Sequence, residues 1–170
     1  MSLDAVFLDR EGVITPKLAP GEYLLQMDQV ALATGVPEAL TKLLSQGVKL
    51  FIVSNQSCVG RGMISMEEAQ AIHDEVLKRL NEQGVTIMDS RLCPHVDEDH
   101  CACRKPKAGM ILDLCAQYGI RPERAAMIGD SRTDIQAGEV AGCATSILLS
   151  ENGPSSLDEA VDGIMECVNV

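Results

Sequence analysis

Short apolar runs alternate with longer amphipathic stretches along this chain. Ala5-Val6-Phe7-Leu8 reads as a buried strand, and a loop rich in Gly and Pro follows it as far as Pro37. Pro37 suits the first residue of a helix, where its fixed φ fits and its missing N–H is not needed; that helix runs to Ser45 and Gly47 closes it. Val48 to Val53 is a second strand. Ser65 with Glu68 forms a capping box, each side chain satisfying a main-chain N–H, and the helix it opens ends near Gly84. A third strand is expected within Val85 to Leu92, a helix over Ala108 to Tyr118 with Gly119 as its stop, and a strand over Ala125 to Ile128. Thr133 to Val140 is then a helix stopped by Gly142, Ala144 to Leu149 a last strand and Leu157 to Val168 a terminal helix. Strands and helices taking turns predict an α/β fold of three layers, Rossmann-like, with a mostly parallel central sheet covered on both faces.

In such sheets the ligand site lies beyond the carboxyl ends of the strands, so polar residues should cluster directly after the apolar runs. They do. Asp9 and Glu11 follow the first strand, Ser54 and Asn55 the second, Cys93 and His95 the third, and Asp130 and Asp134 the fourth. Carboxylates sharing one crevice repel one another unless a cation neutralises them, and hard oxygen ligands of this kind suit Mg2+. Ser54, Asn55, Arg104 and Lys105 supply a hydroxyl, an amide and two cations able to converge on phosphate oxygens. Each group alone has a plainer reading, as a helix cap or a solvated basic loop. Their coincidence at strand ends favours chemistry.

The 170 residues are enough for one well-buried core and short for two, so a single domain over 1–170 is expected. With 46% apolar and 23% charged residues the chain is globular in composition, and with two Phe, two Tyr and no Trp its core must be aliphatic. A net charge of -11 disfavours nucleic acid or an anionic membrane as a partner, while a local basic cluster can still hold one small anion. No apolar run approaches the roughly 20 residues of a membrane span, and Met1-Ser2-Leu3-Asp4 lacks the order of a signal peptide, so a cytoplasmic location is expected. Of seven cysteines, Cys93, Cys101 and Cys103 lie close together, which in a reducing compartment points to a metal site before a disulfide.

Four segments now fall into a known order: Phe7-Leu8-Asp9-Arg10-Glu11-Gly12-Val13-Ile14, Ser54-Asn55-Gln56-Ser57, Cys103-Arg104-Lys105-Pro106-Lys107 and Ile128-Gly129-Asp130-x-x-x-Asp134. Over essentially its whole length the chain resembles the haloacid dehalogenase (HAD) superfamily of phosphatases, and within it the branch acting on heptose bisphosphate and on histidinol phosphate. The resemblance implies that Asp9 is the nucleophile, forming an aspartyl-phosphate that water hydrolyses. It implies Mg2+ held by Asp9, the main-chain carbonyl of Glu11 and Asp130, with Ser54 and Lys105 on the transferring phosphoryl oxygens and Asp134 orienting Lys105 or a metal-bound water. Asn55 and Arg104 become contacts to the rest of the substrate, with Gln56, Ser57 and Arg61 as further substrate-binding positions. Glu11 departs from the family's Asp, which serves as general acid and then general base. The added methylene moves the proton donor by about 1 Å, a displacement that can cost on the order of 10²-fold in rate, so slower activity is expected.

Cys93-Pro94-His95 and Cys101-Ala102-Cys103 together offer three thiolates and one imidazole, a closed tetrahedral set of the kind that binds structural Zn2+. The same pairs occur in the resembled phosphatases, which implies a zinc loop over 93–103 leading into Arg104 and Lys105. His100 is a spare candidate, His73 reads as a surface or satisfied histidine, and Cys58, Cys115, Cys143 and Cys167 read as core or near-surface thiols. The expectation is a Mg2+-dependent phosphatase of a small sugar or polyol phosphate, a monomer or weak homo-oligomer. The intervals between motifs leave no room for a large cap domain, so the site is open and shaped by loops 15–22 and 93–103. Heptose 1,7-bisphosphate, losing its 7-phosphate, is the favoured substrate and histidinol phosphate the alternative. A catalytically weakened HAD-like binding protein, suggested by Glu11, and a zinc-dependent interaction module are the readings from other classes.

Overall fold

Five strands form one sheet in this computed structural model, which describes residues 3–168: β1 (Ala5–Leu8), β2 (Lys49–Asn55), β3 (Asp89–Cys93), β4 (Ala125–Gly129) and β5 (Thr145–Leu148). Their order is β3-β2-β1-β4-β5 and every pairing is parallel. Between and after them come α1 (Val36–Ser45), the single turn α2 (Ser57–Gly60), α3 (Met66–Glu82), α4 (Gly109–Tyr118), α5 (Arg132–Ala141) and α6 (Leu157–Val168).

Successive strand residues point to opposite faces, so the continuous apolar runs feed two cores. Val6, Leu8, Leu50, Ile52 and Ile128 pack against α1, α3 and α6 through Leu40, Leu43, Ile72, Val76, Leu80, Val161 and Ile164. Phe7, Phe51, Val53 and Met127 face the other way, onto Ile111 and Leu114 of α4 and Ala137 and Ala141 of α5. The few rings work together: Phe7 stacks on Phe51 with centroids 5.4 Å apart, and Tyr118 tilts onto Phe51 at 5.2 Å.

The helix signals act as the sequence predicts, with small shifts. Ser65 Oγ accepts from Glu68 N–H at 3.1 Å while Glu68 Oε2 accepts from Ser65 N–H at 2.7 Å. Gly119 and Gly142 end α4 and α5 in the left-handed region, at φ 64° and 86°. α1 starts one residue before Pro37, and α5 extends the expected helix by one residue at each end. β3 is confined to Asp89–Cys93, because Val85 turns into the core beside Leu80 and pairing with β2 begins after Met88. The four residues of α2 are too few to show a period, and the sequence pattern contains no sign of them. Among the described residues no helix is long and apolar enough to cross a membrane.

The chain lays β2 and β3 on one side of β1, then crosses back to add β4 and β5 on the other. β1 and β4 therefore flank the point where strand order reverses, the usual place for a ligand crevice. Their register sets Leu8 beside Ile128, and Asp9 N–H bonds the Ile128 carbonyl at 3.0 Å, so Asp9 and Asp130 leave adjacent strand ends. Because Phe51 joins Phe7 to Tyr118 in the core between sheet and α4, Phe51→Ala is expected to lower the unfolding free energy by about 3–5 kcal/mol. Urea unfolding followed by circular dichroism measures it, and a loss below about 1 kcal/mol would contradict this packing.

Candidate active site

Asp9 faces a cavity of about 250 Å³ whose wall includes Lys105, Asp130 and Asp134. Lys105 Nζ lies 2.7 Å from Asp9 Oδ1, 2.6 Å from Asp134 Oδ1 and 2.8 Å from the Val53 carbonyl, which occupies its three N–H donors. Burial alone would favour the neutral amine, but the two carboxylates outweigh it and hold the Lys105 pKa above its ordinary value. Asp134, the third residue of α5, takes Asp130 N–H and Ser131 N–H on Oδ2 at 3.1 Å each and the Ser131 hydroxyl at 2.9 Å. Both of its oxygens are engaged, so it anchors Lys105. Gly129 allows this approach, since a Cβ there would stand 2.1 Å from Asp134 Cβ.

Asp9 lacks such balance. Burial pushes its carboxyl up to about 7, with Asp134 and Glu11 adding to the rise and Lys105 opposing it only in part. Asp9, Asp130 and Asp134 each bring a carboxylate oxygen within 4.8 Å of the others. With Asp134 engaged, Asp9 and Asp130 are the acidic side chains able to hold a hard divalent cation, and the uncompensated charge of Asp9 fits one. Gly12 makes room for it: its φ is +83°, and a Cβ there would meet Asp130 Oδ2 at 2.2 Å. The outer wall of the cavity is the loop after β1, with Lys17, Leu18, Ala19, Glu22 and Tyr23, and Lys17 Nζ lies 3.1 Å from Asp130 Oδ2.

Glu11 turns its carboxylate into a group of donors. Oε1 accepts from Arg10 Nε at 3.1 Å and Nη2 at 2.5 Å, while Gln56 Nε2 reaches both oxygens at 3.3 Å and Ser54 Oγ donates to Oε2 at 3.4 Å. Burial would raise this carboxyl, but the Arg10 charge and the bonds from Arg10 and Gln56 prevail and hold it below its ordinary range. Arg10 is itself buried, and its Nη1 lies 3.5 Å from His73 Nδ1. His73 is thus neither at the surface nor satisfied: it is 1% exposed and its Nε2 has no hydrogen-bond partner among the described residues. Arg10 escapes a reading of the sequence by motif roles, although an arginine between two carboxylates at a strand end is a signal that it neutralises one of them.

The remaining expected site residues divide. Gln56 borders the cavity, whereas Ser54 is fully buried and accepts from Gln56 Nε2 at 2.8 Å. Asn55 also lines the cavity, and its amide is engaged with the main chain of Lys105, donating to its carbonyl at 3.1 Å and accepting from its N–H at 3.0 Å. Ser57, Arg61 and Arg104 stand outside the cavity wall. Ser57 is buried at the start of α2, Arg61 is exposed, and Arg104 is tied to Asp97 at 2.7 Å while lining a neighbouring cleft with Lys105 and Lys107.

Cys93, His95, Cys101 and Cys103 converge, with ligand atoms all within 4.8 Å of one another. Cys93 Sγ lies 3.7 Å from Cys101 Sγ, 3.5 Å from His95 Nδ1 and 3.0 Å from Cys103 Sγ. Sulfurs at these separations are not in a disulfide, which needs about 2.05 Å. One imidazole and three thiols gathered this closely fit Zn2+. His100 lies outside the set. The cluster is coupled to the cavity through the chain that follows it: Arg104 N–H donates to Cys101 Sγ at 3.3 Å, and Lys105 comes next.

A parallel sheet with aspartates at adjacent strand ends beside its switch point, and a buried lysine between carboxylates, defines an α/β enzyme of the phosphatase class. The chain belongs to the haloacid dehalogenase-like hydrolase family, whose model matches residues 3–142. It is 39% identical over 145 residues to the D-glycero-beta-D-manno-heptose-1,7-bisphosphate 7-phosphatase of Rhodopseudomonas palustris, covering 81% of this chain and 79% of that protein. It is 34% identical over 151 residues to the D-glycero-alpha-D-manno-heptose-1,7-bisphosphate 7-phosphatase of Campylobacter jejuni, covering 89% of this chain and 85% of that one. A crystal structure of D,D-heptose 1,7-bisphosphate phosphatase from Bordetella bronchiseptica, complexed with magnesium and phosphate, aligns at a TM-score of 0.86 and 26% identity, covering 96% of this chain and 99% of that chain. The three-layer α/β fold that the sequence predicts is therefore shared with this phosphatase over nearly the whole of both chains.

Burial, with the Arg10 charge, lowers the His73 pKa to about 4 from its ordinary 6.5. Between those values the unfolded chain binds a proton that the folded chain refuses, so stability is full above about pH 6.5 and falls as pH drops towards 4. The full contribution is about 3–4 kcal/mol at one 1.4 kcal/mol step per pH unit. Urea unfolding at pH 7 and pH 4.5 should therefore show a smaller acid loss for His73→Gln than for the natural chain. Equal losses would mean that His73 titrates normally.

Proposed function

We propose that this phosphatase removes the 7-phosphate of D-glycero-D-manno-heptose 1,7-bisphosphate, using Asp9 as nucleophile. The observation that carries the proposal is the buried Asp9 carboxylate at the cavity, held by Lys105 and short of positive charge. The names of the relatives support the choice of sugar. Asp9 attacks phosphorus as the bond to the sugar oxygen breaks, and water then attacks the aspartyl-phosphate and frees Asp9. Asp9, the Glu11 carbonyl and Asp130 would hold Mg2+, which when bound neutralises the carboxylates and the phosphoryl oxygens. Lys105 gives the transferring group its charge, and its bond to Asp9 Oδ1 is the one it can exchange for a phosphoryl oxygen. Asp134 keeps it aimed. Glu11 would protonate the departing sugar oxygen and later take a proton from water. Ser54 and Gln56 set its orientation.

Cys93, His95, Cys101 and Cys103 would hold one structural Zn2+, and Asn55 carries the position of that loop to Lys105. Chain length and charge support a single domain acting on a small soluble phosphate and not on nucleic acid or membrane. A second reading has one specific observation behind it. Arg10 keeps Glu11 ionised, which suits a base better than an acid and favours a slowed enzyme or a protein that binds the phosphate without turnover.

Phosphate release with Mg2+ across both heptose 1,7-bisphosphate anomers and histidinol phosphate separates these readings. The expected result is the highest kcat/KM on a heptose bisphosphate, with Asp9→Asn lowering kcat by on the order of 10⁴ and Lys105→Met by on the order of 10²–10³. Turnover that survives Asp9→Asn would exclude the nucleophile assigned, and turnover that appears only in Glu11→Asp would establish the weakened protein. Elemental analysis is expected to give one zinc per chain; less than half an equivalent in protein never exposed to chelator counts against the four-ligand site.

A further inference from the structure

Among the lysines of the cavity wall, Lys105 has its donors filled and is buried, whereas the side chain of Lys17 is 70% exposed. Lys17 nonetheless has a defined root. Ile14 and Thr15 N–H groups bond the Arg10 carbonyl at 2.9 and 3.0 Å, Gly12 N–H bonds the Thr15 carbonyl at 2.8 Å, and Ile14 and Thr15 are buried. The chain leaves this tight turn through Pro16, so Lys17 is set at the mouth of the cavity, and its Nζ reaches Asp130 Oδ2 at 3.1 Å. The wall carries the carboxylates of Asp9, Glu11, Glu22, Asp130 and Asp134 against the ammonium groups of Lys17 and Lys105. A doubly phosphorylated substrate entering such a wall needs positive charge at both ends, and Lys105 serves the reacting end alone.

We propose that Lys17 is a specificity-determining residue that exchanges Asp130 for the non-reacting anionic group of the substrate. This rests on the phosphatase reading of the same site. Once Asp130 is given over to a divalent cation, the ammonium loses its partner and is repelled by the new charge. The lysine end of this ion pair is exposed and its stem flexible, so the ammonium swings to the nearest unneutralised anion in the mouth, the phosphate that is not being transferred. Lys17 and the metal therefore compete for Asp130 in the free enzyme, while Lys17 and the substrate's second anion pair in the loaded one.

Three full-length variants test this: Lys17→Met, Lys17→Arg, and Lys78→Met, which removes a lysine from α3. Calorimetric titration with Mg2+ alone, without substrate, is expected to show tighter binding by about threefold or more in Lys17→Met and no change in Lys78→Met. At saturating Mg2+, Lys17→Met should raise KM for heptose 1,7-bisphosphate about tenfold with kcat within about twofold, the mark of lost binding that is uniform along the reaction. KM for p-nitrophenyl phosphate, which has a single phosphate, should stay unchanged, and Lys17→Arg should restore both properties. Unchanged Mg2+ affinity in Lys17→Met, or an equal rise of KM on both substrates, overturns the proposal. If the natural chain turns over neither phosphate, the phosphatase reading fails separately, and the magnesium titration alone decides the exchange at Asp130.

Discussion

The ammonium of Lys105, held between Asp9 and Asp134 and against the Val53 carbonyl, is the interaction on which the rest of the site is built. Three parts of the chain meet there: the end of β1, the end of β2 and the first turn of α5. A buried charge with fixed partners is strongly destabilising to break, by about 3–5 kcal/mol when one partner is lost, so the three segments are held in one geometry. Glycine at 129 serves the same end, because a side chain there would collide with Asp134, and glycine at 12 leaves the room that Asp130 occupies beside it. The cysteine-histidine loop matters for the same reason. Arg104 N–H bonds Cys101 Sγ and Asn55 clamps the main chain of Lys105, so the buried ammonium is tied on one side to the loop and on the other to the end of β2.

A second buried charge lies behind the first. Arg10 is enclosed with Glu11 as its carboxylate and His73 as its neighbour, and this pairing accounts for how a longer acid can be accommodated after β1. The extra methylene lets the carboxylate reach the guanidinium, Gln56 and Ser54 together. Its cost is chemical: a carboxyl held below its ordinary pKa is a poorer proton donor. The geometry at position 11 is therefore shaped first by the need to neutralise Arg10.

Much of the fold was legible because it rests on local rules. Continuous apolar runs marked β1, β2 and β4, a capping box marked the start of α3, and glycines marked the ends of α4 and α5. β3 was the exception, since its residues Asp89-Ser90-Arg91-Leu92-Cys93 form a half-buried edge strand with no apolar run. The candidate site was legible as a set of strand-end residues, but not as a set of roles. Asn55 looks like a substrate contact in sequence, and in space it borders the cavity while also holding the main chain of Lys105. Arg10 and His73 lie 63 positions apart, and no spacing rule connects them.

By itself the sequence determined the alternation of strand and helix, the class of chemistry at the strand ends and which cysteines, histidine and aspartates could gather into clusters. Those depend on residue type and short-range order, which a linear string contains. The tertiary structure alone decided which carboxylates are free and which are already occupied, that Lys17 meets Asp130, and that Glu11 faces Arg10. Those follow from strand order and from which side chains burial forces to share one another's charge, and both are properties of the chain only after it has folded.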